Sequence, residues 1–154
     1  MTTKELKERG AIYFDKITTG FREYADVTLK MDEKKALSNF KSLRKEYGAE
    51  NSYADFYYFR LDEDAREMVN ELLSEEEISW LALISPLPDE VEEEIIFPLN
   101  DRLLRIIVRL NAEEMLFSTI YFVQPDENGR PRTTWWGNYE KEYICFRDRQ
   151  QGEA

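Results

Sequence analysis

The spacing of apolar positions changes character near Leu116. Upstream, apolar side chains recur every three or four residues, the period of a helix with one buried face. In Asp32 to Tyr47, the residues Ala36, Leu37, Phe40, Leu43 and Tyr47 share such a face. Asp32 supplies a side-chain acceptor for the first turn and Gly48 a left-handed stop, so a helix is predicted there. Asp62 heads a second segment, with Ala65, Met68, Val69, Leu72 and Leu73 at helical spacing. Ser74 followed by Glu77 is a capping-box pattern, which predicts a helix through Ile78, Trp80, Leu81 and Ile84 up to Pro86. Taken alone, Ile78 to Ile84 also fits a buried strand. Pro88 to Glu94 reads as a further short helix with proline in its first turn. Asn100 caps a stripe of Leu103, Leu104, Ile107 and Val108, with Arg102, Arg105 and Arg109 on the other side.

Two upstream segments do not follow one period. In Thr3 to Thr18, the residues Leu6, Ile12, Tyr13 and Ile17 fit a helical stripe, but Gly10 interrupts it at a cost of ~1 kcal/mol relative to alanine. Tyr53 to Leu61 is a dense aromatic run that leans toward strand.

Downstream, the texture is that of strands. Leu116 to Val123, Thr133 to Trp136 and Glu142 to Arg147 are rich in β-branched and aromatic residues. They are separated by turn chemistry at Pro125 to Gly129 and at Gly137-Asn138. The expectation is one α+β domain over residues 1–154, with N-terminal and central helices packed on a C-terminal antiparallel meander of about three strands. Adjacent Trp135 and Trp136 must face opposite sides of their strand, so both are buried only if both sheet faces are covered.

Composition supports a folded core: 154 residues, 42% hydrophobic and 14% aromatic, is too apolar for an acidic disordered chain. Charge adds an asymmetry. Asp62 to Glu94 holds thirteen acids and one base, Arg66, for a local charge of −12, whereas the whole chain carries −11. Acids in the first turns of helices are locally favourable, each by ~0.3–1 kcal/mol, and this accounts for much of the run. It does not account for the missing lysines that a solvated helix usually interleaves. An anionic surface disfavours nucleic acid and anionic membrane as partners and fits a basic protein.

The chain has no histidine, which excludes His-based triads, His zinc sites and His pH switches. Cys145 is the single cysteine, so there is no intrachain disulfide, and it reads as a packed apolar side chain. No phosphate-binding glycine loop, nucleophile elbow or calcium loop is present, and no metal or cofactor is expected. No apolar run reaches the ~18 residues of a membrane helix, and Met1 to Gly10 lacks an apolar signal core, so a cytoplasmic protein is expected.

Two functional readings result. The first is a non-enzymatic acidic protein that engages a basic protein partner, of the immunity type (neutralising a bacterial toxin) or a small regulatory inhibitor. Its contact residues would be Glu75, Glu76, Glu77, Asp89, Glu90 and Glu93, with Trp135, Trp136 and Tyr139 as aromatic anchors. The second is a small hydrolase or ligand-binding domain built on a carboxylate, tyrosine and arginine pocket. Asp15, Asp26 and Asp55 lie in aromatic-rich segments, where burial would raise a carboxyl pKa. A homodimer through the aromatic meander is a further possibility for the same surface.

Overall fold

A computed structural model describes residues 1–124 and 129–150. Its centre is an antiparallel sheet of β1 (Ala25–Lys30), β2 (Ser52–Asp55), β3 (Ile96–Pro98), β4 (Thr119–Phe122), β5 (Thr133–Gly137) and β6 (Glu142–Arg147), in the order β1-β6-β5-β4-β2-β3. The meander β4-β5-β6 is the one the sequence predicts. The sheet extends beyond it at both ends, so the expectation of about three strands, all C-terminal, is too small. The residues of β1 are almost all exposed, and β3 holds only three residues; neither offers a two-residue alternation long enough to read.

The helices follow their caps. The helix α1 (Thr3–Glu8) begins at a Thr2–Glu5 capping box and ends before Gly10, whose φ of 94° is left-handed. The chain then runs extended to α2 (Ile17–Glu23), so Thr3 to Thr18 is not one helix. In α3 (Glu33–Tyr47), Asp32 accepts from the Lys35 N–H at 2.8 Å, Gly48 closes the end, and Ala36, Phe40 and Tyr47 are buried. Asp62 caps α4 (Glu63–Asn70) and Ser74 caps α5 (Glu75–Ile84), so Ile78 to Ile84 is helical. Asn100 caps α6 (Asp101–Ala112), whose buried face includes Leu103, Leu104, Ile107 and Val108. Pro88 to Glu94 forms consecutive turns and not the predicted helix, and Tyr53 to Leu61 divides into β2 and a 3-10 turn. The predicted turn at Pro125–Gly129 lies largely outside the described residues. Among the described residues, no helix is long and apolar enough to cross a membrane.

Both sheet faces are covered, which resolves the two tryptophans. On one face α3 and α6 pack over Ala54, Phe56, Ile120, Phe122, Trp135 and Tyr143, with Phe40 edge-on to Trp135 at 5.3 Å. The other face carries Tyr53, Asp55, Thr119, Tyr121, Thr134, Trp136, Ile144 and Phe146, by strand alternation and register. Its cover is the N-terminal segment. Leu6 and Ala11 pack with Tyr53 and Tyr121, while Ile12 and Phe14 pack with Ile144 and Phe146. Polar ties fix this segment in place: Thr134 Oγ1 donates to the Ile12 carbonyl at 2.7 Å, and the Arg132 guanidinium donates to the Gly10 carbonyl at 3.1 Å.

Thr134→Val keeps the shape of that side chain and removes the donor, leaving the Ile12 carbonyl unsatisfied. The expected loss is about 1–3 kcal/mol of stability in urea unfolding, with faster amide exchange in residues 11–15. Unchanged stability and exchange would show that the tie does not hold the segment.

Candidate functional site

The extended chain at Tyr13–Asp15 crosses the sheet beside the end of β2, where the strand alternation aims Asp55 at the N-terminal cover and not at the helices. A cavity of about 250 Å³ is left there, lined by Tyr13, Phe14, Asp15, Asp55, Tyr57, Phe117, Ser118, Thr119, Tyr121, Trp136 and Gly137. Asp55 is 6% exposed. Its Oδ1 accepts from the Thr119 N–H at 2.7 Å, a bond that continues the β2–β4 pairing through a side chain. Among the described residues, no lysine or arginine lines the cavity. Burial therefore dominates and pushes the Asp55 carboxyl up to about 7, against the opposing pull of the Thr119 N–H and of the Thr119 and Tyr121 hydroxyls.

The surrounding phenols report the same field. Burial, the Asp15 acceptor and the Asp15 charge push the Tyr13 hydroxyl up to about 12, and Tyr13 donates to Asp15 at 2.8 Å. Burial followed by the Asp55 charge raises Tyr57 and Tyr121 as well. Trp136 stacks on Phe14 at 5.7 Å and closes one wall. Tyr13, Asp15 and Tyr57 also line a second, more open cleft with Lys4, Arg60, Glu92 and Glu93, so the cavity and the cleft adjoin along these three residues. Chemically, the site offers a poorly solvated carboxyl that changes protonation near neutrality inside an aromatic enclosure. Such a group can anchor a cation or move a proton.

Of the three acids singled out from sequence, only Asp55 is buried. Asp15 stands exposed where the cavity adjoins the cleft and Asp26 is exposed on the edge strand β1. The arginine expected in such a pocket is absent from the cavity lining, and Arg60 sits in the adjoining cleft, ion-paired with Glu92 at 2.6 Å. Tyr13, Tyr57, Thr119 and Tyr121 were not singled out. The signal for them was the alternation itself, since Tyr53, Asp55 and Tyr57 are every second residue of an otherwise apolar run.

The acidic run is less isolated than its sequence suggests. Bases from elsewhere reach it: Arg109 donates to both Glu77 carboxylate oxygens at 2.7 and 3.1 Å, and the Met1 amine pairs with Glu94. Burial opposes ionisation of Glu77, but Arg109 and the Ser74 N–H outweigh it and hold its pKa below the usual range. Glu75 and Glu76 border a shallow depression with Ser79, Trp80, Leu83 and Arg102, where Leu83 is 83% exposed. Asp89, Glu90 and Glu93 are exposed in the turns after α5. The expected aromatic anchors are elsewhere. Trp135 is 8% exposed beneath α3, and Trp136 walls the Asp55 cavity. Tyr139 is exposed against Phe117, in a turn that packs near the end of α6. Arg102 lies at the start of that helix, so the two places are on the order of 15 Å apart at 1.5 Å per residue.

Cys145 is buried, and burial pushes its thiol up to about 12, as befits a packing side chain. Among the described residues, no group of three or more His, Cys, Asp or Glu side chains converges to hold a metal ion. Comparison with protein-family models, curated proteins and solved structures finds no match to this chain.

The raised pKa of Asp55 has a definite sign in stability. The folded state holds the proton between the unfolded value near 3.9 and the folded value of about 7. Stability from this group is therefore complete below about pH 4, falls as pH rises from about 4 to about 7 by at most roughly 4 kcal/mol, and is level above. Asp55→Asn keeps an acceptor for the Thr119 N–H and cannot ionise. Urea midpoints of wild type should fall relative to the variant from about pH 4 to about pH 7. Parallel profiles would show that Asp55 ionises without penalty.

Proposed function

We propose that this protein is a ligand-binding domain whose recognition group is Asp55. The observation that carries the reading is a carboxylate removed from water in a cavity wall with no cation beside it. Packing alone would be better served by Asn or an apolar residue, because an ionised buried acid without a partner is destabilising. Sites kept at a cost to stability are characteristically functional. The cavity is slightly smaller than the ~300–1,000 Å³ of sites for drug-sized molecules, which suits a small ligand or the end group of a larger one. The test is a fragment screen by heteronuclear NMR with cationic, neutral and anionic mixtures. Members of at least one mixture should perturb Thr119, Tyr121 and the Trp136 indole; no perturbation there by any mixture at millimolar concentration would contradict the reading.

A second reading, a surface that engages a basic protein partner, draws on a different place. Exposed Leu83, Leu87 and Met68 lie within the acidic run, and the depression on α5 joins Glu75 and Glu76 to Trp80 and Leu83. Apolar contact bordered by Glu75 and Glu76 on α5, with Arg102 also lining it, suits an amphipathic segment with more basic than acidic side chains. Trp80 and Leu83 take the anchor role first expected of Trp135, Trp136 and Tyr139. A lysine-rich amphipathic peptide should bind the protein with an affinity that drops steeply between about 0.05 and about 0.3 M salt. Leu83→Asp combined with Glu75→Gln and Glu76→Gln should abolish that binding; retention of full affinity in the triple variant contradicts this reading.

A further inference from the structure

Resting on the reading of the Asp55 cavity as a ligand site, we infer that it receives an alkylammonium group, with the cation beside Asp55 and the alkyl stem leaving past Tyr13 and Tyr57. The first argument is charge. Among the described residues, the cavity lining carries two carboxylates, Asp55 and Asp15, and no basic side chain. An anion brought there would meet a buried negative group with no donor cation to receive it. A neutral guest would expel water and leave Asp55 still more poorly solvated. A cation supplies the missing partner, and in a desolvated site that pairing is at its strongest.

The second argument is the walls. Six aromatic residues line the cavity with Asp55, and ring faces attract cations through their quadrupoles, as Lys7 over Tyr13 at 4.8 Å and Arg60 over Tyr57 at 5.5 Å already illustrate on two of them. Carboxylate and aromatic enclosure together match an organic ammonium, which has a charged end and apolar substituents, better than a hydrated metal ion, which seeks several oxygens. The third argument is the way in. The cavity shares Tyr13, Asp15 and Tyr57 with the neighbouring cleft, where Glu92 and Glu93 lie. Lys4 and Arg60 also line that cleft and Arg60 pairs with Glu92, so among the described residues the acids there outside an ion pair are Asp15 and Glu93, and they favour a cation only modestly. A free small amine and the side chain of a lysine in a peptide present the same chemistry to such a site.

The groups facing Asp55 set the pH dependence. They are Thr119 and Tyr121 from β4, Tyr57 from the chain after β2, and Tyr13 and Asp15 from the N-terminal segment, with Trp136 from β5 uncharged. The phenols titrate far above neutrality, and an alkylammonium stays protonated well beyond it. Binding therefore strengthens as Asp55 loses its proton.

The experiment uses the isotopically labelled protein and four probes: n-butylammonium chloride, 1-butanol, sodium butyrate, and the peptide acetyl-Gly-Lys-Gly-amide. The readout is the shift of the Thr119 amide and the Trp136 indole. n-Butylammonium or the lysine peptide is expected to bind at about pH 8 and to weaken roughly tenfold or more by about pH 5.5. Asp55→Asn should weaken that binding at least about tenfold; Asp26→Asn, on the exposed edge strand, should leave it unchanged. Tighter binding of the peptide than of n-butylammonium identifies a lysine side chain as the source, and the reverse identifies a free amine. If Asp55→Asn fails to fold, the wild-type pH profile decides alone. Binding of butyrate or 1-butanol at or below the concentration needed for n-butylammonium overturns the inference and leaves the ligand site standing, whereas unchanged affinity in Asp55→Asn overturns the inference and the role of Asp55 as recognition group together. Silence from all four probes overturns it too, and the broader fragment screen then separates a wrong ligand class from the absence of a site.

Discussion

A carboxylate held out of water without a cation is the constraint that organises the functional half of this molecule. Transfer of an ionised acid into a poorly solvated place is opposed by several kcal/mol unless another charge or several donors answer it. Asp55 has one firm donor, the Thr119 backbone N–H, supported by the Thr119 and Tyr121 hydroxyls. That set eases ionisation and falls short of restoring an ordinary carboxyl pKa. The protein tolerates the remainder because the rest of the core is dense and aromatic. Phe40, Trp135 and Tyr143 meet edge to face on the helical side of the sheet, and Phe14, Trp136 and Phe146 meet on the other.

The N-terminal segment makes the constraint possible. Without it the second sheet face would be open, Asp55 would be solvated, and the sheet would be an ordinary two-layer element with helices on one side. Gly10 ends α1 in a left-handed conformation, and the next residues run without helix or strand over the sheet face before a bend at Asp15. They are tied by Thr134 and Arg132 and packed through Ile12 and Phe14. Arg132 is itself held by Asp148 through two 2.7 Å bonds. The enclosure is thus a tertiary product of residues more than a hundred positions apart. The acidic run also looks different in three dimensions, since Arg60, Arg109 and the Met1 amine neutralise part of it from outside.

What was legible in the sequence was what local chemistry dictates. Asp32, Asp62, Ser74 and Asn100 each mark the start of a helix by offering an acceptor to its first turn, and the structure uses all four. The strand Glu142–Arg147 and the meander it closes were visible from β-forming side chains and turns. The edge strand β1 was not, because an exposed edge has no apolar alternation to display. Pro88 to Glu94 misled because proline with acids is the composition of a helix start, yet the segment forms turns between α5 and β3. For the site, the sequence narrowed the buried acid to three aspartates. Choosing Asp55 required knowing that β2 lies inside the sheet with both faces covered, which is a fact of topology. Trp136 was visible as unusual, and its role as a cavity wall follows from Phe14, distant in sequence and stacked upon it.

The most direct measurement is the ionisation of Asp55 itself, followed through its side-chain carboxyl carbon by NMR as pH is varied in the folded protein. The structure predicts a midpoint near 7, reached while the fold is intact. A midpoint close to 4, the ordinary value of an exposed aspartate, would mean that water or a counter-charge reaches the group, and the account of this cavity would fall.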